Sequence, residues 1–482
     1  MPLLTELMAG CSDEVLLHGE DVAVSDLTAD SRAVKDGMLF AAIPGVNRDG
    51  AAFIPQVVEQ GAVALLAQHP HEALPTITSN NLRRSLAQMA GVCYPHQPSH
   101  IMVVTGTNGK TSVADFYRQL WQLRGQKAVS IGTLGLRGAS AEMEERFPAV
   151  NTSPDPVLLV QMLQGAQQEG ADYAAIEASS HGLHQYRMEG VKITSAVFTN
   201  FTQDHLDYHG DMESYFLAKA RLFTELNPQH CIINYDDVNG QRLSLSLHGK
   251  PLMTYGRFGD ACRLLRMQPV AQGIEVQMAL MGEIFDEVIP LYGEFQVYNI
   301  AAACCAVVAD GMSPKEALSL IRKLEGVSGR MEKVGEHPSG APMFIDYAHT
   351  PDALEQVLKS LRAHCRGKLH VVFGCGGDRD KTKRPLMGGV AEKLADNIII
   401  TDDNPRSEDA AGIRLDVMSG IKEKQVTQIS GRREAINVAV QHLAAEDILV
   451  VAGKGHEAYQ IIGDQKEDFN DKAELLEAVR TL

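Results

Sequence analysis

The stretch that most limits how this chain can fold lies between an apolar run and a helical pattern. Ile101-Met102-Val103-Val104 reads as a buried strand, and Ser112 to Arg124 as a helix. Only Thr105-Gly106-Thr107-Asn108-Gly109-Lys110-Thr111 connects them. Strand, glycine-rich turn and helix together present backbone N–H groups and a helix N-terminus to a phosphate chain. Gly106 and Gly109 allow a tight turn and a close approach, Lys110 reaches the β/γ-phosphates, and the Thr111 hydroxyl is suited to Mg²⁺. The general phosphate-loop pattern has glycine where Val104 stands, so this is a shortened variant.

At 482 residues the chain exceeds one core, and about three domains are expected. Hydrophobic residues make up 45% and charged residues 22%, as in an ordinary soluble protein. No apolar stretch approaches the ~18 residues of a membrane span, and Met1 to Glu14 lacks the pattern of a secretory signal. Eight scattered cysteines without C-x-x-C read as reduced thiols, so a cytoplasmic location is expected. A net charge of −17 argues against nucleic acid as a partner but allows a small anionic substrate held by local Arg and Lys.

Residues 1–98 read as a small α/β domain with a strand in Gly37 to Ile43, a loop from Pro44 to Gly50, and a helix from Phe53 to Gln60 closed by Gly61. Tyr94-Pro95-His96-Gln97-Pro98 reads as a linker. Residues 99–328 form a central domain in which Trp121 is core, and the strands Asp172–Glu177 and Ser195–Asn200 bring Glu177 and His205 to the strand ends beside Lys110. Glu177 suits Mg²⁺ through oxygen, whereas His205 read on its own chemistry is a hydrogen-bonding loop residue. Tyr215 to Phe223 is an amphipathic helix on which Lys219, taken alone, is a solvated lysine. Residues 264 to 292 alternate as antiparallel strands, and a buried helix from Ile300 to Asp310 follows.

Residues 329–482 form a third domain. Met343–Ile345, Leu369–Phe373, Ile398–Thr401 and Ile448–Ala452 read as parallel strands separated by helices. Each runs into a polar loop: Asp346 to His349, Gly374 to Lys381, Asp402 to Arg406, and Gly453 to Glu457. In a doubly wound sheet all four loops share one edge. The fold class is therefore α/β in three domains: a small N-terminal domain, a central phosphate-loop mononucleotide-binding domain and a Rossmann-like doubly wound C-terminal domain.

The heptapeptide TGTNGKT resembles the ATP site of the Mur ligases and folylpolyglutamate synthases, which are ATP-dependent amide-forming enzymes. The D-S-R run at Asp30 to Arg32 and the four C-terminal loops extend the resemblance over the whole chain, on the side of the Mur ligases. That resemblance implies an ATP site at Gly106, Thr107, Asn108, Gly109, Lys110 and Thr111, with Asn299, Arg330 and Asp346. It implies that Ser31, Asn47, Asn151, Thr152, Ser153, Ser179, Gln185 and Arg187 hold a UDP-muramoyl dipeptide. The helix motif Y-x-x-A-K-x-x-L-F implies that Lys219 carries a CO₂-derived carbamate, so that Thr111, Glu177, His205 and carbamylated Lys219 serve two Mg²⁺ sites. Lys110, Lys219 and His205 are the expected catalytic residues. Asp403-Asn404-Pro405-Arg406 matches the family's diaminopimelate form of this loop, and with Arg379, Gly453 and Glu457 implies meso-diaminopimelate as the incoming amino acid. Gln296 stands where the family usually has Asn. A monomer acting on small molecules, away from membranes, is expected. A phosphate-loop switch or transport ATPase is the alternative reading, and it leaves Arg379, Arg406 and Glu457 without work.

Overall fold

The computed structural model describes residues 1–45, 48–149, 151–270 and 272–482. Asn47 lies outside the described residues. The chain divides into two compact units, Met1–Leu264 with Ala279–Glu283 and Asn299–Leu320, and Leu265–Met278 with Ile284–Tyr298 and Ile321–Leu482.

The first unit contains two sheets. The N-terminal sheet runs in the order Val15–His18, Thr76–Ser79, Ala64–Ala67, Leu39–Ala41, Leu27–Thr28, with only the first pair antiparallel. The expected helix from Phe53 is a 3₁₀ turn, Gly50–Phe53, continuing as Ile54–Glu59, and Gly61 follows at φ +94°. The larger sheet places Leu252–Gly256, His230–Asn234, Ser195–Phe198, His100–Thr105, Tyr173–Glu177 and Ala128–Gly132 side by side and parallel. Gly135–Arg137 pairs antiparallel at its edge. Ile101 to Val104 are all fully buried, as a strand covered on both faces requires.

The helix after the heptapeptide is Lys110–Leu123, beginning two residues earlier than its apolar pattern because the turn delivers Gly109 at φ +87° directly into it. Trp121 is fully buried and stacks on Tyr173 with centroids 3.6 Å apart. The two sheets of this unit are held together closely. Val157 and Val160 of helix Pro156–Gln168 share a core with Leu86, Met89 and Ala90 of helix Leu82–Cys93. Tyr94, in the stretch read as a linker, donates to Asp26 at 2.6 Å and accepts from Gln161 at 2.7 Å. That segment is a pinned connection.

The stretch 262–289 forms three successive strands, Cys262–Val270, Gly273–Leu280 and Glu283–Ile289. The next helix, Glu294–Ala309, starts ahead of the expected Ile300. In the second unit the sheet order is Glu332–Glu336, Pro342–Asp346, Ile448–Ala452, Leu369–Phe373, Asn397–Ile400, Thr427–Gln428, parallel except for its first pair. One face packs Leu354, Leu358, Met387 and Ile413 on Phe344, Val371 and Val450. The other packs Ile436, Val440 and Leu475 on Met343, Val372 and Val451. The sheet is doubly wound, and its four expected strands put their C-terminal loops on one edge.

Candidate active site

In the first unit the site grows from three neighbouring parallel strands. His100–Thr105 lies between Ser195–Phe198 and Tyr173–Glu177, so the segments 106–109, 199–202 and 178–180 emerge together. The heptapeptide is tied down by the segment after Phe198. Thr107 N donates to Asn200 O at 2.9 Å, Asn108 N to Asn200 Oδ1 at 2.9 Å, and Thr199 Oγ1 to Asn108 O at 2.6 Å. Gly106 has a positive φ of 150°, and a Cβ there would collide with the Thr199 hydroxyl. Asn299 Oδ1 crowds the space that a Cβ on Gly109 would take.

Two lysine side chains converge on this turn. Lys110 Nζ donates to Gly106 O at 2.9 Å and Thr107 O at 2.8 Å. Lys219 Nζ reaches the same Gly106 oxygen at 2.8 Å. Lys219 is 1% exposed and lies 4.6 Å above the Tyr215 ring, so its reading as a solvated lysine is corrected. Helix Met212–Thr224 turns Lys219 inward with Tyr215, Leu222 and Phe223. Burial, with Lys110 nearby, pushes its pKa well below the ordinary lysine value.

Glu177 is 2% exposed and acts as an acceptor hub. Thr111 Oγ1 donates to Oε2 at 2.9 Å, Thr133 Oγ1 to Oε2 at 3.1 Å, and Thr133 N to Oε1 at 2.8 Å. His205, in the left-handed region at φ +52°, pairs with Asp204 at 3.4 Å and stands edge-on to His181. Burial, with Lys110 and Lys219 adding to it and Asp204 opposing, lowers its pKa and favours the neutral imidazole. Of the expected dipeptide residues, Thr152, Ser153, Ser179, Gln185 and Arg187 are linked beside Glu177. Ser153 Oγ donates to Glu177 O at 3.0 Å and lies 3.1 Å from Ser179 Oγ. Arg187 donates to Ser153 O at 2.5 Å and to Gln185 Oε1 at 2.7 Å. Thr152 joins through Thr133 at 3.1 Å, Asn151 is exposed, and Ser31 is buried in a turn of the N-terminal sheet region.

In the second unit, Asp346 ends its strand and caps two backbone amides, those of Met331 at 2.6 Å and Ala348 at 2.7 Å. Burial raises its pKa, and Arg330 opposes the rise. Arg330 lies 4.5 Å over the Tyr347 ring. Asp403 and Asn404 are buried at the next strand end. Asn404 Nδ2 donates to Glu457 Oε2 at 3.0 Å. A Cβ on Gly453, at φ +116°, would lie 2.7 Å from Asp403 Oδ2. Arg406, at φ +52°, donates to Gly377 O at 2.9 Å. The nearby carboxylates are bound elsewhere: Asp402 pairs with Arg414, and Glu408 pairs with Arg384 at 2.9 Å and Lys381 at 3.0 Å. Arg406 therefore holds carbonyl groups, and Asp378 is the carboxylate that feels its charge. Arg379 is exposed and bonds to Asp378 O at 2.9 Å.

Sequence reasoning missed several supports. Thr133 and Thr199, which fix Glu177 and the heptapeptide, carry no motif. Arg432 is buried against both Asp471 oxygens, each at 2.7 Å, and donates to Ala452 O at 2.9 Å, just before Gly453. Lys454 was visible inside the last loaded loop, and its burial was not.

This architecture of a phosphate loop, a buried lysine on an adjoining helix and a doubly wound C-terminal unit is that of an ATP-dependent ligase, and the chain belongs to the Mur ligase family. Three family profiles match it: the Mur ligase family catalytic domain over residues 23–100, the Mur ligase middle domain over 104–307, and the Mur ligase glutamate ligase domain over 329–455. The UDP-N-acetylmuramoyl-L-alanyl-D-glutamate–2,6-diaminopimelate ligase of Caulobacter vibrioides is 42% identical over 470 residues, 95% of this chain and 96% of that protein. A solved structure of a ligase of that name is 32% identical with a TM-score of 0.70, covering 95% of each chain. The MurF ligase of Thermotoga maritima, solved in complex with ADP, shares the fold at 15% identity and a TM-score of 0.63, covering 96% of this chain and 99% of that one.

Proposed function

We propose that this chain joins meso-2,6-diaminopimelate to UDP-N-acetylmuramoyl-L-alanyl-D-glutamate at the expense of ATP, in peptidoglycan precursor synthesis. The observation that carries the choice of amino acid is Arg406, whose neighbouring carboxylates Asp402 and Glu408 are engaged by other cations. A planar fork hydrogen-bonded to carbonyl oxygens, with Asp378 the carboxylate that feels its charge, suits the distal carboxylate that diaminopimelate has and lysine lacks. The name of the Caulobacter relative supports the same reading.

In the reaction the glutamyl carboxylate oxygen attacks the γ-phosphorus, an acyl phosphate forms and ADP leaves. The amine nitrogen of diaminopimelate then attacks the acyl carbon, the amide forms, inorganic phosphate leaves and the amine releases a proton. Gly106, Thr107, Asn108 and Gly109 would cradle the phosphates, with Lys110 turning from its carbonyl partners onto them. Asn299 would meet the adenine, and Arg330 and Asp346 are further proposed nucleotide contacts. Ser31, Asn47, Asn151, Thr152, Ser153, Ser179, Gln185 and Arg187 would hold the UDP-muramoyl dipeptide. Arg379, Asp403, Asn404, Pro405, Arg406, Gly453 and Glu457 would hold the amino acid.

Thr111 and Glu177 fit one Mg²⁺ site, since they already meet through oxygen at 2.9 Å. His205 and Lys219 would serve a second. A bare ammonium would repel a cation there, so Lys219 is proposed to act as a carbamate, formed when its neutral amine bonds to the carbon of CO₂ and loses a proton. Bound Mg²⁺ would neutralise charge on the phosphates and on the acyl phosphate. Residues 1–98, 99–328 and 329–482 are proposed as the uridine-, nucleotide- and amino-acid-binding domains of a cytoplasmic monomer. No helix among the described residues is long and apolar enough to cross a membrane.

Steady-state assays of phosphate release with each amino acid test the proposal. Turnover should need ATP, the UDP-dipeptide and meso-diaminopimelate together. A comparable kcat/KM for L-lysine, or ATP hydrolysis indifferent to both other substrates, would overturn it.

A further inference from the structure

Lys454 has no exposed side-chain surface. Its ammonium pairs with Glu457 Oε2 at 2.9 Å and donates to Asn404 Oδ1 at 3.1 Å. Asn404 Nδ2 donates to that same Glu457 oxygen at 3.0 Å, closing a ring of three side chains. Ile461 N donates to Asn404 Oδ1 at 3.0 Å, which fixes which way the amide faces. Glu457 Oε2 thus carries two donors. Among the described residues, no protein hydrogen bond reaches Glu457 Oε1, and the Glu457 side chain is 19% exposed.

We propose that Lys454 is a positioning residue that sets amino-acid specificity by acting through Glu457 and Asn404. This rests on the diaminopimelate reading above. The clamp holds the carboxylate with one oxygen turned to the ligand, so it offers a single acceptor to the distal ammonium. It also balances charge. The Lys454 ammonium offsets the Glu457 carboxylate it pairs with at 2.9 Å, so that pair is neutral. The distal end of diaminopimelate is itself a zwitterion of one ammonium and one carboxylate, and it meets the pair without a net charge opposing it. Without Lys454 the Glu457 carboxylate stands uncompensated by that ammonium. That repels the distal carboxylate and attracts a ligand whose distal end is only an ammonium, as in lysine.

The test compares wild type, Lys454→Met and Lys454→Gln with meso-diaminopimelate and with L-lysine, after folding has been checked by circular dichroism. Methionine keeps the length of the stem and removes the charge. Glutamine keeps a donor on a shorter arm. Lys454→Met should raise KM for diaminopimelate by about tenfold or more, with KM for ATP and for the UDP-dipeptide held within about twofold. The preference for diaminopimelate over lysine should fall by about tenfold or more, and Lys454→Gln should lie between wild type and Lys454→Met. On a Glu457→Gln background, Lys454→Met should add little, because the lysine acts through that carboxylate. An unchanged diaminopimelate KM in Lys454→Met overturns the proposal. So does a fall in kcat for both amino acids with every KM unchanged, or failure of both single variants to fold, since each assigns Lys454 to stability alone. A wild type that does not use diaminopimelate sinks the proposed function instead, which keeps the two failures distinct.

Discussion

Lys110 and Lys219 both donate to the Gly106 carbonyl, so two lysine amines meet at one turn. Lys110 has no part in a hydrophobic core, so Lys110→Ala should keep the melting profile and lose turnover; near-normal kcat would remove Lys110 from the mechanism. Lys219 differs because it is buried as well as polar. Its folded-state pKa is depressed, so the folded chain binds fewer protons than the unfolded chain between the two values. Stability of the uncarbamylated protein should therefore rise with pH through that window and level off above the unfolded lysine value of about 10.5. Denaturant melts across the alkaline range check the sign. Carbamylation should appear as a ¹³C resonance after equilibration with labelled bicarbonate, absent in Lys219→Ala, and its absence from active wild type would exclude the modification.

At the scale of elements, the loop after Asn397–Ile400 depends on ion pairs that engage Asp402 and Glu408 with cations other than Arg406. The Arg384 guanidinium, the Lys381 ammonium and the Asp378 N–H together pull the Glu408 pKa down to about 2. For an acid with a depressed pKa, the linked stability is present above the unfolded value of 4.5 and lost as pH falls toward about 2. The 376–408 region should therefore open across that acid window, while Glu408→Gln should remove this step. Limited acid proteolysis mapped by mass spectrometry reads it, and identical cleavage in both proteins would refute the coupling. The neighbouring strands explain why this loop can be specialised. Leu369–Phe373 is buried throughout, and its hydrogen bonds to Asn397–Ile400 and Ile448–Ala452 hold the strand ends in register. Chemistry at the strand ends can then vary without disturbing the sheet.

At the scale of the molecule, the N-terminal sheet and the nucleotide-loop sheet belong to one compact unit. Val157 and Val160 enter the core of the N-terminal sheet, and Asp26, Tyr94 and Gln161 join above it. The two sheets should therefore lose stability together. Val160→Ala deletes two buried methyl groups at a site 1% exposed and should cost about 1–3 kcal/mol. Hydrogen exchange should accelerate in both 1–98 and 99–264. An effect confined to one sheet would show that the shared core does not couple them.

The sequence by itself determined what depends on short-range pattern. The heptapeptide turn, the inward helix around Tyr215 and Phe223, and the four strands with their loaded loops follow from local periodicity and turn chemistry, and the structure has each. Resemblance then named residues for the chemistry, and Glu177, Ser153, Ser179 and Arg187 do meet. The tertiary structure decided what burial decides. Lys219 has the sequence context of a solvated helix lysine and is enclosed. Tyr94 stands in a proline-marked linker and is pinned to Asp26. Whether Arg406 would spend its charge on Asp402 or Glu408 depended on Arg414, Lys381 and Arg384 reaching those carboxylates first. Lys454 is an unremarkable letter in a glycine-rich loop until Asn404 and Glu457, 50 positions before it and 3 after, close around it. A residue's solvation and partners are set by segments distant in sequence. No local pattern carries that information, and the charge and protonation of a buried group follow from it.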